Sequence, residues 1–159
     1  MAQGLELHLE GDWDRAIFSL QNLAKKLNPS FKSGFDNDAE YVLETLKNHI
    51  VRQDLGWVPL SEHTIQLKGG SRTIMIETGT LLDNFEVKPV SGNDYSLFVG
   101  VDSGSHPSGE DIQDIMMWLE YGTDKMPPRP LIQPTYKEVQ KELKNRWRKV
   151  LADLVNGGM

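Results

Sequence analysis

Helical and strand-like hydrophobic patterns occupy different parts of this chain, and their placement is what most limits its fold. Apolar residues recur every three or four positions near both ends, over about 13–27, 36–50 and 134–154. Between Gly56 and Val101, short runs rich in β-branched and aromatic residues are separated by glycine, proline, asparagine and serine. This segregation predicts an α+β fold, in which two N-terminal helices, a middle helix and a long C-terminal helix pack on a small antiparallel sheet.

The first fifty residues predict a strand followed by two helices. Leucines alternate with polar residues over 5–10, as in a strand with one buried face. Proline lacks a backbone N–H and clashes with the preceding helical turn, so Asn28-Pro29 is expected to end the first helix. A second helix, beginning at about Asp36 or Asp38, would then run antiparallel to the first, with these carboxylates at its positive end.

The centre of the chain predicts two β-hairpins. The first joins Thr64–Leu67 to Thr73–Ile76 through Lys68-Gly69-Gly70-Ser71, because paired glycines supply the positive φ angles of a tight turn. Its polar tip and apolar arms predict a projecting hairpin that contacts a neighbouring subunit, and an ordinary hairpin on the domain's own sheet is the alternative. After a short helical turn over 78–84, the second hairpin joins Phe85–Val90 to Tyr95–Val101.

The last fifty residues predict two helices separated by a stiff segment. Ser108 and Asp111 approximate a capping box for a helix that ends at Gly122. Three prolines then hold residues 126–130 extended, and Pro134 suits the first turn of the final helix. The residues predicted for the core are Trp13, Leu20, Leu43, Leu46, Leu143, Trp147 and Leu151.

Length and composition predict one domain, residues 1–159, and narrow the functional classes. The chain has no cysteine, which excludes disulfides and thiolate chemistry. Its 17 lysines and arginines against 23 aspartates and glutamates give a formal charge of −6, which argues against a protein whose main task is to bind nucleic-acid phosphates. The first residues lack the pattern of a secretion signal, and the longest apolar stretch is far shorter than the roughly 20 residues of a membrane helix. These features predict a protein made in a reducing cytoplasm and not bound to a membrane.

Motifs predict no catalytic, cofactor or metal site. The histidines lack the spacing of a metal site, and the glycines form neither a phosphate-binding loop nor a dinucleotide fingerprint. His49 is expected to be a hydrogen-bonded histidine at the edge of the core, and His106 an exposed loop residue. The basic residues of the last helix alternate with acidic ones, which predicts a solvated face. Because carboxylates are plentiful, a carboxylate–metal hydrolase stays as the alternative from the enzyme class.

Two segments are more specific than this general patterning. The first reads Trp-x-Pro-Leu-Ser-x-x-Thr, then a lysine, then an apolar run into Thr-Gly-x-Leu, and comprises Trp57–Thr64, Lys68 and Ile74–Leu81. The second, Trp118–Leu131, places an aromatic-Gly-Thr before a Pro-x-Arg-Pro and precedes the long helix. In this order, over about 57–154, the segments resemble the tail-completion, or virion-morphogenesis, proteins of long-tailed bacteriophages and prophages. The chain departs from that pattern at Tyr121 and in the polar stretch 120–125.

The resemblance implies a structural virion protein without enzymatic activity or cofactor. Such a protein completes the tail and joins the tail tube to the head or neck, through contacts with other tail, neck and connector proteins. A homo-oligomeric ring is implied, with a hexamer favoured and DNA only as passing cargo. The implied location is the host cytoplasm during assembly and then the tail–neck region of the virion. A tail-terminator or head-closure ring protein is the alternative within the same particle.

The same segments supply the candidate site residues. Arg129, held between two prolines, is expected to bind a carboxylate or a helix end, either within the fold or on a neighbouring subunit. The residues expected to have a structural role in the motif are Trp57, Pro59, Leu60, Thr78, Gly79, Gly122, Pro128 and Pro130. The residues expected at a partner interface are Lys68, Gly69, Gly70, Ser71, Glu120, Tyr121, Thr123 and Arg129.

Overall fold

The computed structural model describes residues 13–92 and 96–156, and within these ranges the chain has an α+β fold. The α+β class and the long C-terminal helix are confirmed. The strand predicted within residues 5–10 and the side chains of Trp13 and Leu20 lie outside what is described. In chain order the elements are α1 (Trp13–Arg52), α2 (Glu62–Leu67), α3 (Thr80–Asp83), β1 (Phe85–Pro89), β2 (Leu97–Val101), α4 (Ile112–Tyr121) and α5 (Ile132–Asn156). None of the described helices is both long enough and apolar enough to cross a bilayer.

The N-terminal region forms one helix where the sequence predicts two. Helix α1 runs for 40 residues and contains Pro29 in its interior, so the predicted break at Asn28-Pro29 is wrong. Proline removes one backbone hydrogen bond, but most of the stability of a helix in a protein comes from packing of its faces. Beyond the proline, α1 packs along α5, and these contacts favour a continuous helix over the local breaking signal.

An aromatic and ionic cluster joins α1 to α5. The Trp147 ring stacks on Phe31 with centroids 5.2 Å apart and is tilted against Phe35 at 4.9 Å. Trp147 Nε1 donates to Asp38 Oδ2 at 2.5 Å, and Arg146 Nη1 donates to Asp38 Oδ1 at 2.5 Å. Asp38 is therefore a buried carboxylate in the middle of α1 with two donors from α5, and its predicted position at a helix start is wrong.

The main core lies where the C-terminal half of α1 meets α3, α4 and the β-hairpin. Leu46 belongs to it as predicted, Leu43 packs against it, and Leu143 and Trp147 are half-buried. Leu151 is 47% exposed, so its predicted place in the core is wrong. The buried hydrophobic residues of this core are Leu46, Ile50, Leu81, Phe85, Ile112, Met116 and Leu131.

Of the two predicted hairpins, the structure contains only the second within the described residues. Strands β1 and β2 pair antiparallel, with Phe85 opposite Val101 and Pro89 opposite Leu97. The first hairpin is wrong, because residues 62–67 form helix α2 and residues 73–76 form no strand. Ser61 explains the difference: its hydroxyl caps α2 by accepting from the Thr64 N–H at 3.1 Å, a role that favours a helix start.

His49 links the C-terminal end of α1 to two carboxylates. It is buried, as expected for a histidine at the core, and its Nδ1 lies 2.7 Å from Asp54 Oδ1. Its Nε2 lies 3.2 Å from Glu138 Oε2, but the geometry of this contact is not that of a hydrogen bond. Chiefly through its hydrogen bond, His49 lowers the pKa of Asp54 below the usual value of an aspartate.

This lowered pKa predicts a pH-dependent contribution of Asp54 to stability. A carboxyl group with a lowered folded-state pKa stabilises the fold above its unfolded pKa, about 3.9, and that stabilisation is lost as pH falls through the folded value. We expect the Asp54→Asn variant to melt below the parent protein at pH 7, and the difference to vanish under acidic conditions. Melting temperatures measured from pH 7 downwards, with the exposed Asp153→Asn as control, would contradict this if the Asp54→Asn difference did not change with pH.

Candidate functional site

A groove opens between α2, the segment 74–81 and α4. Its volume is 350 Å³. Leu60, Ile74 and Ile76 line it on the α2 side, and Ile115, Trp118 and Leu119 line it from α4. Five of the candidate site residues named from the sequence line it, namely Leu60, Lys68, Thr78, Gly79 and Arg129. An apolar concave surface with a few polar groups is the usual form of a binding site in a protein of this size.

The segment 73–76 that forms one wall of the groove is held by side chains in place of strand pairing. Gln53 Nε2 donates to the Ile74 carbonyl at 2.9 Å, and the Ile74 N–H donates to Gln53 Oε1 at 2.8 Å. Lys68 Nζ donates to the carbonyls of Thr73 and Ile76 at 2.7 and 2.9 Å. Lys68 therefore has a structural role in this wall in addition to lining the groove.

Met75 stands in this wall with a backbone conformation that side chains disfavour. Its φ is +63°, in the left-handed region. Non-glycine residues occupy that region at a cost of about 1–3 kcal/mol, and such positions concentrate at functional sites. The cross-links from Gln53 and Lys68 supply the surrounding constraint that holds the strained residue in place.

Arg129 is a buried cation whose described partners are backbone carbonyls. Its side chain is buried to 5% exposure, Nε donates to the Val58 carbonyl at 3.0 Å, and Nη2 lies 3.5 Å from the Pro59 carbonyl. No carboxylate among the described residues lies within ion-pair distance of it. Burial lowers the pKa of Arg129. Within the described residues Arg129 thus binds the carbonyl groups of an extended segment, in place of the carboxylate or helix end that was expected.

The two segments that carry the family resemblance contact each other directly. Trp57 Nε1 donates to the Pro130 carbonyl at 2.7 Å, beside the bonds from Arg129 to Val58 and Pro59. Residues about 70 positions apart thus join the two segments next to Arg129, which lines the groove. Such long-range contacts leave no periodic signal in the sequence, so the sequence did not predict them.

Glu120, expected at a partner interface, caps helix α5. Its Oε2 accepts from the N–H groups of Leu131 and Ile132 at 2.7 and 2.9 Å, and Oε1 accepts from Gln133 at 2.9 Å. The next residue, Pro134, has no N–H to satisfy. A single carboxylate from α4 therefore satisfies the free donors of the first turn of α5, where a helix favours negative charge.

The other predicted interface residues lie in two exposed turns. Gly69 and Gly70 have positive φ angles of 63° and 93° in the turn after α2, next to Ser71. Thr123 closes the turn after α4, where its N–H donates to the Met126 carbonyl at 2.8 Å. Their contact with a partner stays a prediction.

One face of α4 is exposed and apolar. Met117 is 59% exposed, Trp118 is 39% exposed and Tyr121 is 79% exposed. We call these three residues the α4 face. Tyr121 was expected at a partner interface, whereas Met117 and Trp118 were not, because the helical period alone does not say which apolar side chains the core leaves uncovered.

His106 lines the groove at its loop side. Its ring nitrogen Nδ1 lies 2.8 Å from Ser108 Oγ, and its backbone N–H donates to the Glu110 carbonyl at 2.9 Å. It is only partly exposed, whereas an exposed loop residue was expected.

Asp111, not Ser108, caps α4, since Asp111 Oδ1 accepts from the Gln113 N–H at 2.8 Å. Over 13–92 and 96–156, no group of three potential metal ligands lies together.

Comparisons with protein-family models, with curated proteins and with solved structures found no match to this chain.

Proposed function

We propose that this chain is a structural protein of a long-tailed phage particle, which completes the tail and joins the tail tube to the neck as a homo-oligomeric ring. The proposal starts from the resemblance carried by Trp57–Leu81 and Trp118–Leu131. The direct contact between these segments at Trp57, Arg129 and Pro130 supports it, because residues that bond to each other have a shared structural reason for their types and spacing.

The α4 face is the observation that carries the proposal. Met117, Trp118 and Tyr121 expose apolar and aromatic surface on one short helix, immediately before the Gly122 turn of the second motif. Methionine and aromatic residues are enriched at protein interfaces. Clustered exposure of this kind marks contact surfaces on small proteins. A subunit that acts by binding its neighbours needs such a surface.

The charge of the chain fits a position beside a DNA channel. Its formal net charge is −6, and like charge keeps DNA from adhering to a ring through which it passes.

The test combines a mass measurement with a phage assay. We expect sedimentation of the purified chain to show concentration-dependent self-association, and Tyr121→Asp to weaken it because a charge would be buried in the interface. The matched control is Tyr136→Asp, another exposed tyrosine, on α5. In a phage that lacks its own tail-completion gene, the parent chain and the control should restore particles and Tyr121→Asp should not. A chain that stays monomeric and does not restore particles contradicts the proposal.

A further inference from the structure

The groove contains two cations that the described fold leaves without a carboxylate partner. Lys68 and Arg129 both line it, and the hydrogen bonds of both go to backbone carbonyls. Glu77 and Glu110 line it as well, yet neither lies within ion-pair distance of either cation among the described residues. A carboxylate that enters the groove would form charge-assisted hydrogen bonds with these cations, which are stronger than the bonds to neutral carbonyls.

The rest of the lining specifies the surroundings of that carboxylate. The groove surface is mostly apolar, and isoleucine and leucine side chains and the partly exposed ring of Trp118 contribute to it. Burial of apolar groups against this surface contributes about 25 cal/mol for each Å² removed from water. The matching ligand is therefore a segment in which apolar side chains and carboxylates alternate within a few residues.

We propose that residues 5–10 of a second copy of this chain bind in the groove. Their sequence is Leu-Glu-Leu-His-Leu-Glu, which supplies three apolar side chains and two carboxylates in six positions. A groove surrounds an extended segment on more than one side, so leucines on one face contact the apolar wall while glutamates on the other face reach Lys68 or Arg129. Each subunit would thus hold its neighbour through this segment.

The segment of the same chain cannot reach its own groove. The groove wall at Ile74 is bonded to Gln53, immediately after α1, while residues 5–10 precede the opposite end of that helix. The rise of an α-helix places Trp13 about 55 Å from Ile50. Fully extended, residues 5–13 span at most about 30 Å. Binding must therefore take place between two copies of the chain.

This inference deepens the proposed function and rests on it in requiring self-association. The natural absence of cysteine allows a direct test by cross-linking in the full-length chain. Chains carrying Leu7→Cys are mixed with chains carrying Glu77→Cys at the groove and treated with a short bis-maleimide. The control partner carries Glu44→Cys, an exposed glutamate on α1.

We expect a mixed dimer from Leu7→Cys with Glu77→Cys and little with Glu44→Cys. Reversing the segment's charge with Glu6→Lys and Glu10→Lys should lower that yield by about tenfold, since like charges would then face each other in the groove. Sedimentation of the chain, measured before cross-linking, distinguishes a failure of this inference from a failure of the proposed ring. A chain that self-associates but cross-links equally at both positions, or is insensitive to charge reversal, overturns this inference and leaves the ring proposal standing. A monomeric chain with no cross-link overturns both.

Discussion

Replacing Gly122 with valine should lower the free energy of unfolding by about 3 kcal/mol or more, because two separate penalties combine at this position. Gly122 has φ +79° and ψ 178°, a region that is almost exclusive to glycine. An added Cβ would also lie 2.9 Å from both the Met126 oxygen and the Pro128 nitrogen, which are backbone atoms that cannot move aside cheaply. Urea denaturation measures the loss directly.

Gly109→Val is the matched control for Gly122→Val. Gly109 has a φ of +90°, but nothing lies within 4 Å of a Cβ built on it. Its substitution therefore carries the conformational penalty alone, and the difference between the two variants isolates the close contact with the turn. Equal losses for both variants would show that the turn over 122–128 does not close as tightly as described.

Signals that depend on neighbouring residues were read correctly from the sequence. Gly122 follows a helix with a positive φ, as predicted, although its ψ is extended and not that of a left-handed helical residue. The hairpin of β1 and β2 forms where alternation and turn residues placed it. In each case the conformation is decided within a few residues, so a local pattern is enough to predict it.

Two of the wrong predictions depend on contacts between distant residues. Pro29 signals a helix end, yet α1 continues because α5 packs along it near Asp38 and Phe31. Residues 73–76 alternate like a strand, yet Gln53 and Lys68 bind their carbonyls in place of a partner strand. No propensity within these segments reports on a helix or side chain that arrives from elsewhere in the chain.

Some residues of the candidate groove could be identified from the sequence. Lys68, Thr78, Gly79 and Arg129 were singled out by motif, and all four line it. The groove itself could not be predicted, because it brings together residues far apart in the chain, such as Leu60 and Arg129. A motif can identify residues that belong to one site without showing that they lie close together in the fold.

The Glu120→Ala variant should lose about 2 kcal/mol of stability, since loss of a helix cap costs about 0.5–2 kcal/mol and these hydrogen bonds are charge-assisted. Glu120 accepts three N–H groups at the start of α5, and the first of them, on the fully buried Leu131, has no simple access to water. For a chain of 159 residues, this loss corresponds to a melting temperature lower by about 4–8 °C.

Two further variants separate this capping role from the interface role that the sequence predicted for Glu120. Glu44→Ala removes an exposed glutamate of α1 and should leave the melting temperature nearly unchanged. Glu120→Gln keeps one carbonyl oxygen as an acceptor but removes the charge at the positive end of α5, so its stability should fall between those of the parent and Glu120→Ala. If Glu120→Ala instead melted like Glu44→Ala while failing to self-associate, the carboxylate would serve the contact between subunits, and α5 would begin without it.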